Sequence, residues 1–328
     1  MKNLKKISLA LLAITLFWSC SDDDDATSTV PVTQPLNIVE TAQATPSLSV
    51  LVDAVIQAGL VDALSADGER TVFAPTNAAF TSFLQAKGFS SLSEVPNDVL
   101  TQILLNHVIA DSNITSTALA NSTGYATTMA SGPNNSNLSI FYNGNSGVQL
   151  NGVASVTTAD VSTTNGIVHI VDEVIDLPTV TTFAVADPNF DTLQEALTTL
   201  TPQTDFASIL ARIENNADNI NPDFTVFAPT NDAFSDITIP TDETVLTNIL
   251  LHHVISGANV RSTDLTPNGD TTAPSLEGDN ITVTLPGTGS NIADVTDGSG
   301  NTDIGIIAVD VQATNGVIHA VNKVLLPM

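Results

Sequence analysis

Between residues 47 and 64, apolar side chains fall at Leu48, Leu51, Val52, Val55, Ile56, Leu60 and Leu64. Spacings of three and four place them on one face of a helix. Thr45 and Pro46 supply an N-cap and a first-turn residue. Thr71 to Ala74 is a short apolar β run stopped by Pro75, after which Asn77 is placed to cap a helix carrying Phe80, Phe83 and Leu84. A further helix spans about 97–106, with Val99, Ile103 and Leu104 as its stripe. Beyond residue 110 the pattern changes to short runs such as Leu138–Tyr142 and Val153–Val156. Asn143-Gly144, Asn151-Gly152 and Asn165-Gly166 are the turn signals between them. Helices first and strands afterwards predict an α+β domain with a folded sheet.

The pattern then occurs a second time. Thr71–Phe80 returns as Thr225–Phe234 with nine of ten positions identical, Leu104–Ile109 as Leu250–Ile255, and Thr164–Val171 as Thr314–Val321. The offsets are 154, 146 and 150 residues, in the same order. A period this long describes two globular domains rather than a solenoid of short repeats. The joint falls near Pro178 to Asp187.

These blocks resemble the signature of the fasciclin domain family. Thr71, Pro75, Thr76, Asn77 and Phe80 match its first motif, and Asn165, Gly166 and His169 its second. In the other copy the matching residues are Thr225, Pro229, Thr230, Asn231 and Phe234, then Asn315, Gly316 and His319. The resemblance implies an α+β chain of two tandem fasciclin domains, at 36–178 and 185–328, each a β-sheet wedge with helices packed around it. It also implies adhesion or matrix association, with an unidentified surface or matrix protein or polysaccharide as partner. In the middle block the family commonly carries Tyr-His. Here the pairs are Asn106-His107 and His252-His253, the candidates for an adhesion motif by that resemblance.

The N-terminus reads as an address. Lys2, Lys5 and Lys6 precede an apolar stretch from Ile7 to Trp18, too short to span a bilayer and suited to a signal-peptide core. The single Cys of the chain follows at Cys20, so residues 1–19 resemble a bacterial lipoprotein signal whose Cys thiol is acylated. Ser21, Asp22, Asp23, Asp24 and Asp25 resemble the acidic tag that sends some lipoproteins to the outer cell face. Residues 20–35 are then a solvated, acidic tether. The expectation is an outer-membrane protein, held by its N-terminal lipid and exposed at the cell surface.

Composition narrows the chemistry. Lys and Arg number 8 against 35 Asp and Glu, for a formal net charge of −27. That excludes a nucleic-acid binder, which needs cations to neutralise phosphates. One Cys excludes a disulfide framework. His107, His169, His253 and His319 lie in the repeated blocks and read as scaffold imidazoles bonded to backbone. His252 is the unrepeated one. No zinc-ligand spacing and no phosphate loop occurs, so neither metal nor cofactor is expected. Residues 294–303 hold oxygen ligands and glycines without the order of a calcium loop, and read as a solvated hairpin tip. Asp191-Thr192-Leu193 resembles a short bacterial O-glycosylation motif. Trp18 leaves with the signal, and Tyr125 and Tyr142 are a thin supply of sugar-stacking rings. The competing reading is an accessory glycan- or small-ligand-binding lipoprotein of a nutrient-uptake system.

Overall fold

In the computed structural model, which describes residues 35–328 apart from Asn219, each repeat is one seven-stranded sheet with helices packed against it. Cys20 and the acidic run after it lie outside the described residues. The first repeat contains α1 (Ile38–Ala44), α2 (Ser49–Gln57), α3 (Val61–Ser65), β1 (Arg70–Pro75), α4 (Asn77–Lys87), α5 (Asn97–Asn106), β2 (Val108–Ala110) and α6 (Ser116–Leu119). It continues with β3 (Thr123–Ser131), β4 (Asn137–Asn143), β5 (Gln149–Leu150), β6 (Ala154–Thr163) and β7 (Gly166–Val171). The second contains α7 (Val180–Ala186), α8 (Asp191–Thr198), α9 (Phe206–Leu210), β8 (Phe224–Pro229), α10 (Asn231–Ser235), α11 (Glu243–His252) and β9 (Val254–Ser256). Its remaining strands are β10 (Asp270–Pro274), β11 (Asn280–Thr284), β12 (Ala293–Thr296), β13 (Ile304–Ala313) and β14 (Gly316–Val321).

The strand order is β2-β1-β7-β6-β5-β4-β3 in one sheet and β9-β8-β14-β13-β12-β11-β10 in the other. All neighbours are antiparallel except β1 with β7 and β8 with β14, which are parallel. The two repeated motifs therefore meet. Thr71 sits opposite Ile167 and Phe73 opposite His169; Thr225 pairs with Val317 and Phe227 with His319. A parallel pair is covered on both faces, which explains the unbroken apolar runs of β1 and β8. Val72 and Ala74 face the helices while Phe73 faces the inside of the folded sheet. Val226 and Ala228 stand against Phe227 in the same way.

Three local readings change. The stretch 47–64 is not one helix. A 3₁₀ turn at Pro46–Leu48 leads into α2, and Gly59 at φ +69° separates α2 from α3, turning Ile56 outward. The N-cap of α4 is Thr76, whose hydroxyl accepts from the Ala79 amide. Asn77 instead reaches across to the N-terminal helices. Its Oδ1 accepts the Val50 amide at 2.9 Å, and its Nδ2 donates to the Pro46 carbonyl at 3.1 Å. Asn231 repeats this with the Thr192 amide and the Pro188 carbonyl. In α5, Val99 is exposed and Leu100 takes the core position. Asn77→Ala is expected to lower stability by about 1–3 kcal/mol, since it leaves a backbone amide and a carbonyl without partners. Thr76→Ala should cost about 1 kcal/mol. Urea unfolding midpoints measure both.

The joint also moves. Residues 180–186 are α7, the counterpart of α1, so the second domain begins at about Thr179 rather than 185. The Val180 amide donates to Asn315 Oδ1, and the Thr314 amide to the Pro178 carbonyl. No length of free chain separates the domains. Phe141 of β4 packs in the second domain's core cluster, Tyr125 lies edge-on to Phe183, and the Gln312 amide donates to Ser139 Oγ at 3.0 Å. Among the described residues no helix is long and apolar enough to cross a membrane.

Candidate functional site: buried polar clamps and a cleft at the domain junction

The histidines of the repeated blocks are built into the interior. His107 ends α5, where its Nδ1 donates to the Ile103 carbonyl (2.7 Å) and its Nε2 accepts from the Ile175 amide (2.9 Å). His253 does the same with the Ile249 carbonyl and the Leu325 amide. One proton on Nδ1 and a lone pair on Nε2 satisfy both contacts, so the neutral tautomer is the one that fits. Burial lowers both imidazoles to about 4. His169 stacks on Phe73 and His319 lies tilted against Phe227, and they reach the Ile114 and Val260 carbonyls, each at 2.8 Å, through Nε2. The same two loop residues donate their amides to the Thr71 and Thr225 hydroxyls. First motif, loop and second motif are thereby one clamp, made twice.

The Asn-Gly turns of the second motif are further clamps. Asn165 Nδ2 donates to the Leu64 and Ala66 carbonyls while its Oδ1 accepts the Ile38 amide. Asn315 binds the Leu210 and Arg212 carbonyls and the Val180 amide. A bulge in β6 and another in β13 each place an Asp in the left-handed region, Asp160 at φ +59° and Asp310 at φ +63°. Their carboxylates accept from the amides and hydroxyls of Ser116 and Ser262. No feature of the sequence marked these aspartates.

The four residues of the expected adhesion motif are all buried. Asn106 and His252 are fully enclosed, and His107 and His253 are nearly so. Asn106 accepts from the Thr128 hydroxyl and donates to the Asp176 carbonyl. His252 contacts Ser275 Oγ through Nδ1 and accepts the Gly298 amide on Nε2, with Glu277 3.5 Å from Nδ1. Burial lowers its pKa against the opposing pull of Glu277, Asp297 and Asp279. These four candidates for an adhesion motif therefore turn their polar atoms inward to loops and strand ends and present no exposed contact. Residues 294–303 divide: 299–303 are the exposed turn of the β12–β13 hairpin, as the pattern predicts, and the residues before them are corrected. Ala293–Thr296 is a sheet strand, and Asp297 is buried, holding the Asn301 and Leu326 amides. Among the described residues no group of three or more His, Cys, Asp or Glu is placed to hold a metal ion.

An open concave surface lies where the domains meet. A cleft of about 460 Å³ is walled by Tyr125 and Phe141 from the first domain and by Phe190, Ile307 and Val311 from the second. Asp187, Asn189, Thr230, Asn231 and Asp232 supply its polar groups. The Tyr125 hydroxyl donates to Asp187 Oδ2 at 2.8 Å, and Asn189 donates to Oδ1 through both its amide and Nδ2. Burial and the Asp187 carboxylate push the Tyr125 phenol well above its usual range, so it stays protonated and donating. Nothing in either repeat alone signals this cleft, because it needs residues from 123 to 320. Its one trace in the sequence is Tyr125, through the hydroxyl rather than the ring.

The Fasciclin domain family matches this chain twice, over residues 46–178 and 189–327, and the chain belongs to that family. Human periostin is 27% identical over 225 residues, covering 67% of this chain and 24% of periostin. Protein sll1483 of Synechocystis is 38% identical over 144 residues, 43% of this chain and 73% of that protein. Transforming growth factor-beta-induced protein ig-h3 of Sus scrofa is 28% identical over 274 residues, 79% of this chain and 35% of its own length. The chain thus spans about a quarter to a third of the two animal relatives. Among solved structures, the FAS1 domain pair of the insect cell adhesion molecule Fasciclin I matches with a TM-score of 0.49 at 20% identity, over 85% of this chain and 97% of that one.

Proposed function

We propose that this protein is a non-catalytic adhesion or matrix-association protein, displayed on a bacterial outer membrane through a lipid on Cys20. The observation that carries the reading is the family match over both domains. The fate of the repeated polar residues supports it: the imidazoles of His107 and His253 and the side-chain amides of Asn165 and Asn315 are spent on backbone clamps. Because the domains share packing contacts, they present their surfaces in one fixed arrangement, so partner contact at both adds avidity without a loop-ordering cost. Intact cells treated with protease should lose both domains, and radiolabelled palmitate should enter the wild type but not Cys20→Ser. Cells expressing the protein should bind matrix-coated surfaces, and resistance to shaving together with unchanged adherence after deletion would defeat the reading.

One observation favours the competing reading, an accessory glycan-binding lipoprotein. A groove of about 390 Å³ in the first domain is lined by Asn143, Asn145, Ser146, Gln149 and Ser155, neutral donors and acceptors suited to sugar hydroxyls. Oligosaccharide titration that saturates on the wild type and is lost in Asn145→Ala would support it.

A further inference from the structure

At about 460 Å³, the junction cleft is in the range of small-ligand sites, about 300–1,000 Å³. Its charge is one-sided. Asp187 is only 4% exposed, yet it enters none of the ion pairs among the described residues. The chain has little to offer it. Beyond residue 34 the cations are Arg70, Lys87, Arg212, Arg261 and Lys323. Lys87, Arg212, Arg261 and Lys323 face Asp176, Asp218, Asp310 and Asp303, and Arg70 binds the Ala66 carbonyl. A buried carboxylate is ordinarily paired. Asp187 takes three hydrogen bonds, two on Oδ1 and one on Oδ2, of about four its oxygens can accept, which leaves Oδ2 one open position. Asp232 stands exposed on the same cleft, beside the half-buried Thr230, whose counterpart Thr76 caps α4 while Thr230 makes no such bond to α10.

Aromatic walls beside a carboxylate select for a particular ligand. Ring faces attract a cation and also accept its hydrocarbon stem, while the carboxylate accepts N–H donors. A hydrated divalent ion fits less well, since it wants a shell of six or more oxygens: Asp187 already accepts three hydrogen bonds, the other polar groups beside Asp232 are neutral Asn and Thr side chains, and Phe141 and Phe190 supply no ligand. The strong overall acidity draws cations toward the surface in general, and the cleft is where that attraction meets a fitted shape. We propose that the cleft between the two fasciclin domains binds an organic cation with an apolar stem: the guanidinium or ammonium side chain of a basic segment, or a free alkylamine of the same chemistry. The inference rests on the adhesion reading only for the source of that cation, a basic stretch of the partner.

The test is calorimetric titration of the full chain with three probes: acetyl-Gly-Arg-Gly-amide, 1,4-diaminobutane and acetyl-Gly-Glu-Gly-amide. The arginine peptide and the diamine should bind, the glutamate peptide should not, and the tighter of the first two identifies the source. Asp187→Asn should weaken binding by about tenfold or more, the worth of one charge-assisted hydrogen bond, and Asp232→Asn by about threefold. Should Asp187→Asn fail to fold, Asp232→Asn on the exposed first turn of α10 still decides, alongside amide shift changes in the wild type at Gly124, Asn189 and Ala308. Cation binding no better than that of the glutamate peptide, unchanged affinity in the variants, or shift changes confined elsewhere would overturn the inference. Adherence to matrix-coated surfaces is measured in parallel. Adherence without peptide binding removes the cleft site and leaves the adhesion reading; peptide binding without adherence does the reverse.

Discussion

Asn165→Asp and Asn315→Asp are each expected to lower the unfolding free energy by about 3–5 kcal/mol, the cost of an uncompensated buried charge. Both amides are almost fully enclosed. Each Nδ2 points at two carbonyls, Leu64 and Ala66 in one domain and Leu210 and Arg212 in the other. A carboxylate there sets oxygen against oxygen without water to screen it. Asn→Ala at the same sites removes the bonds without adding charge, so it should cost less than Asn→Asp. Acid should narrow the gap, because a protonated Asp regains one donor. The glycine that follows is just as constrained. A Cβ on Gly166 would stand 2.3 Å from the Arg70 carbonyl oxygen, and one on Gly316 2.2 Å from that of Phe224. These are backbone atoms of the parallel partner strand, so no side chain can move aside, and Gly→Ala should open the β1–β7 or β8–β14 pairing. Urea unfolding of all six variants tests the set. An Asp variant as stable as its Ala counterpart at pH 7 would show that the amide clamp is not what fixes the N-terminal helices to the sheet.

The position of these clamps explains how far the sequence could be read. Thr71–Phe80 and Asn165–Val171 recur together because they are hydrogen-bonded neighbours, the parallel strands and the turn that locks the helices over them. Side chains that bond to the backbone of distant elements tolerate few replacements, so that part of each repeat stays recognisable in its copy. The helices they hold need only present apolar faces, and their sequences diverge. Ile38–Ala44 and Val180–Ala186 share a fold position but little sequence, which hid the true start of the second domain. Gly59 interrupts an apolar periodicity that continues on either side of it, and Thr76 and Asn77 are both good caps that only backbone geometry separates. The inward turn of Asn106 and His252 is a tertiary fact: nothing in a local pattern distinguishes a helix-end polar residue facing solvent from one facing another loop. The cleft is the extreme case, since its rings and carboxylates come from both copies.

Acid is expected to destabilise the protein between pH 6.5 and about 4, with His107 and His253 as the principal cause. Burial holds each near 4 in the folded chain, against 6.5 for an unperturbed imidazole. The folded state therefore stays unprotonated through a window in which the unfolded chain takes up a proton at each site. Stability from these residues is fully present above pH 6.5, drains as the pH falls, and levels off below about 4, where both states carry the proton. The difference corresponds to roughly 3 kcal/mol per histidine. Geometry gives the same sign. Protonated Nε2 can no longer accept from the Ile175 or Leu325 amide, so charging the ring also costs the bond that ties the chain after the last strand to the helix end. Burial lowers His252 and His319 as well, adding to the effect. Asp223, raised by burial, works in the opposite direction, and the hydrogen-bonded Asp160 and Asp294, held low, contribute only at more acid pH. His107→Asn and His253→Asn should be less stable than the parent at pH 7.5, and their loss on acidification to pH 4 should be shallower by about the share of one histidine. The double variant should be flatter still. A variant whose stability falls as steeply as the parent's across that window would mean that the proton lands elsewhere and that these rings are not the neutral clamps their contacts require.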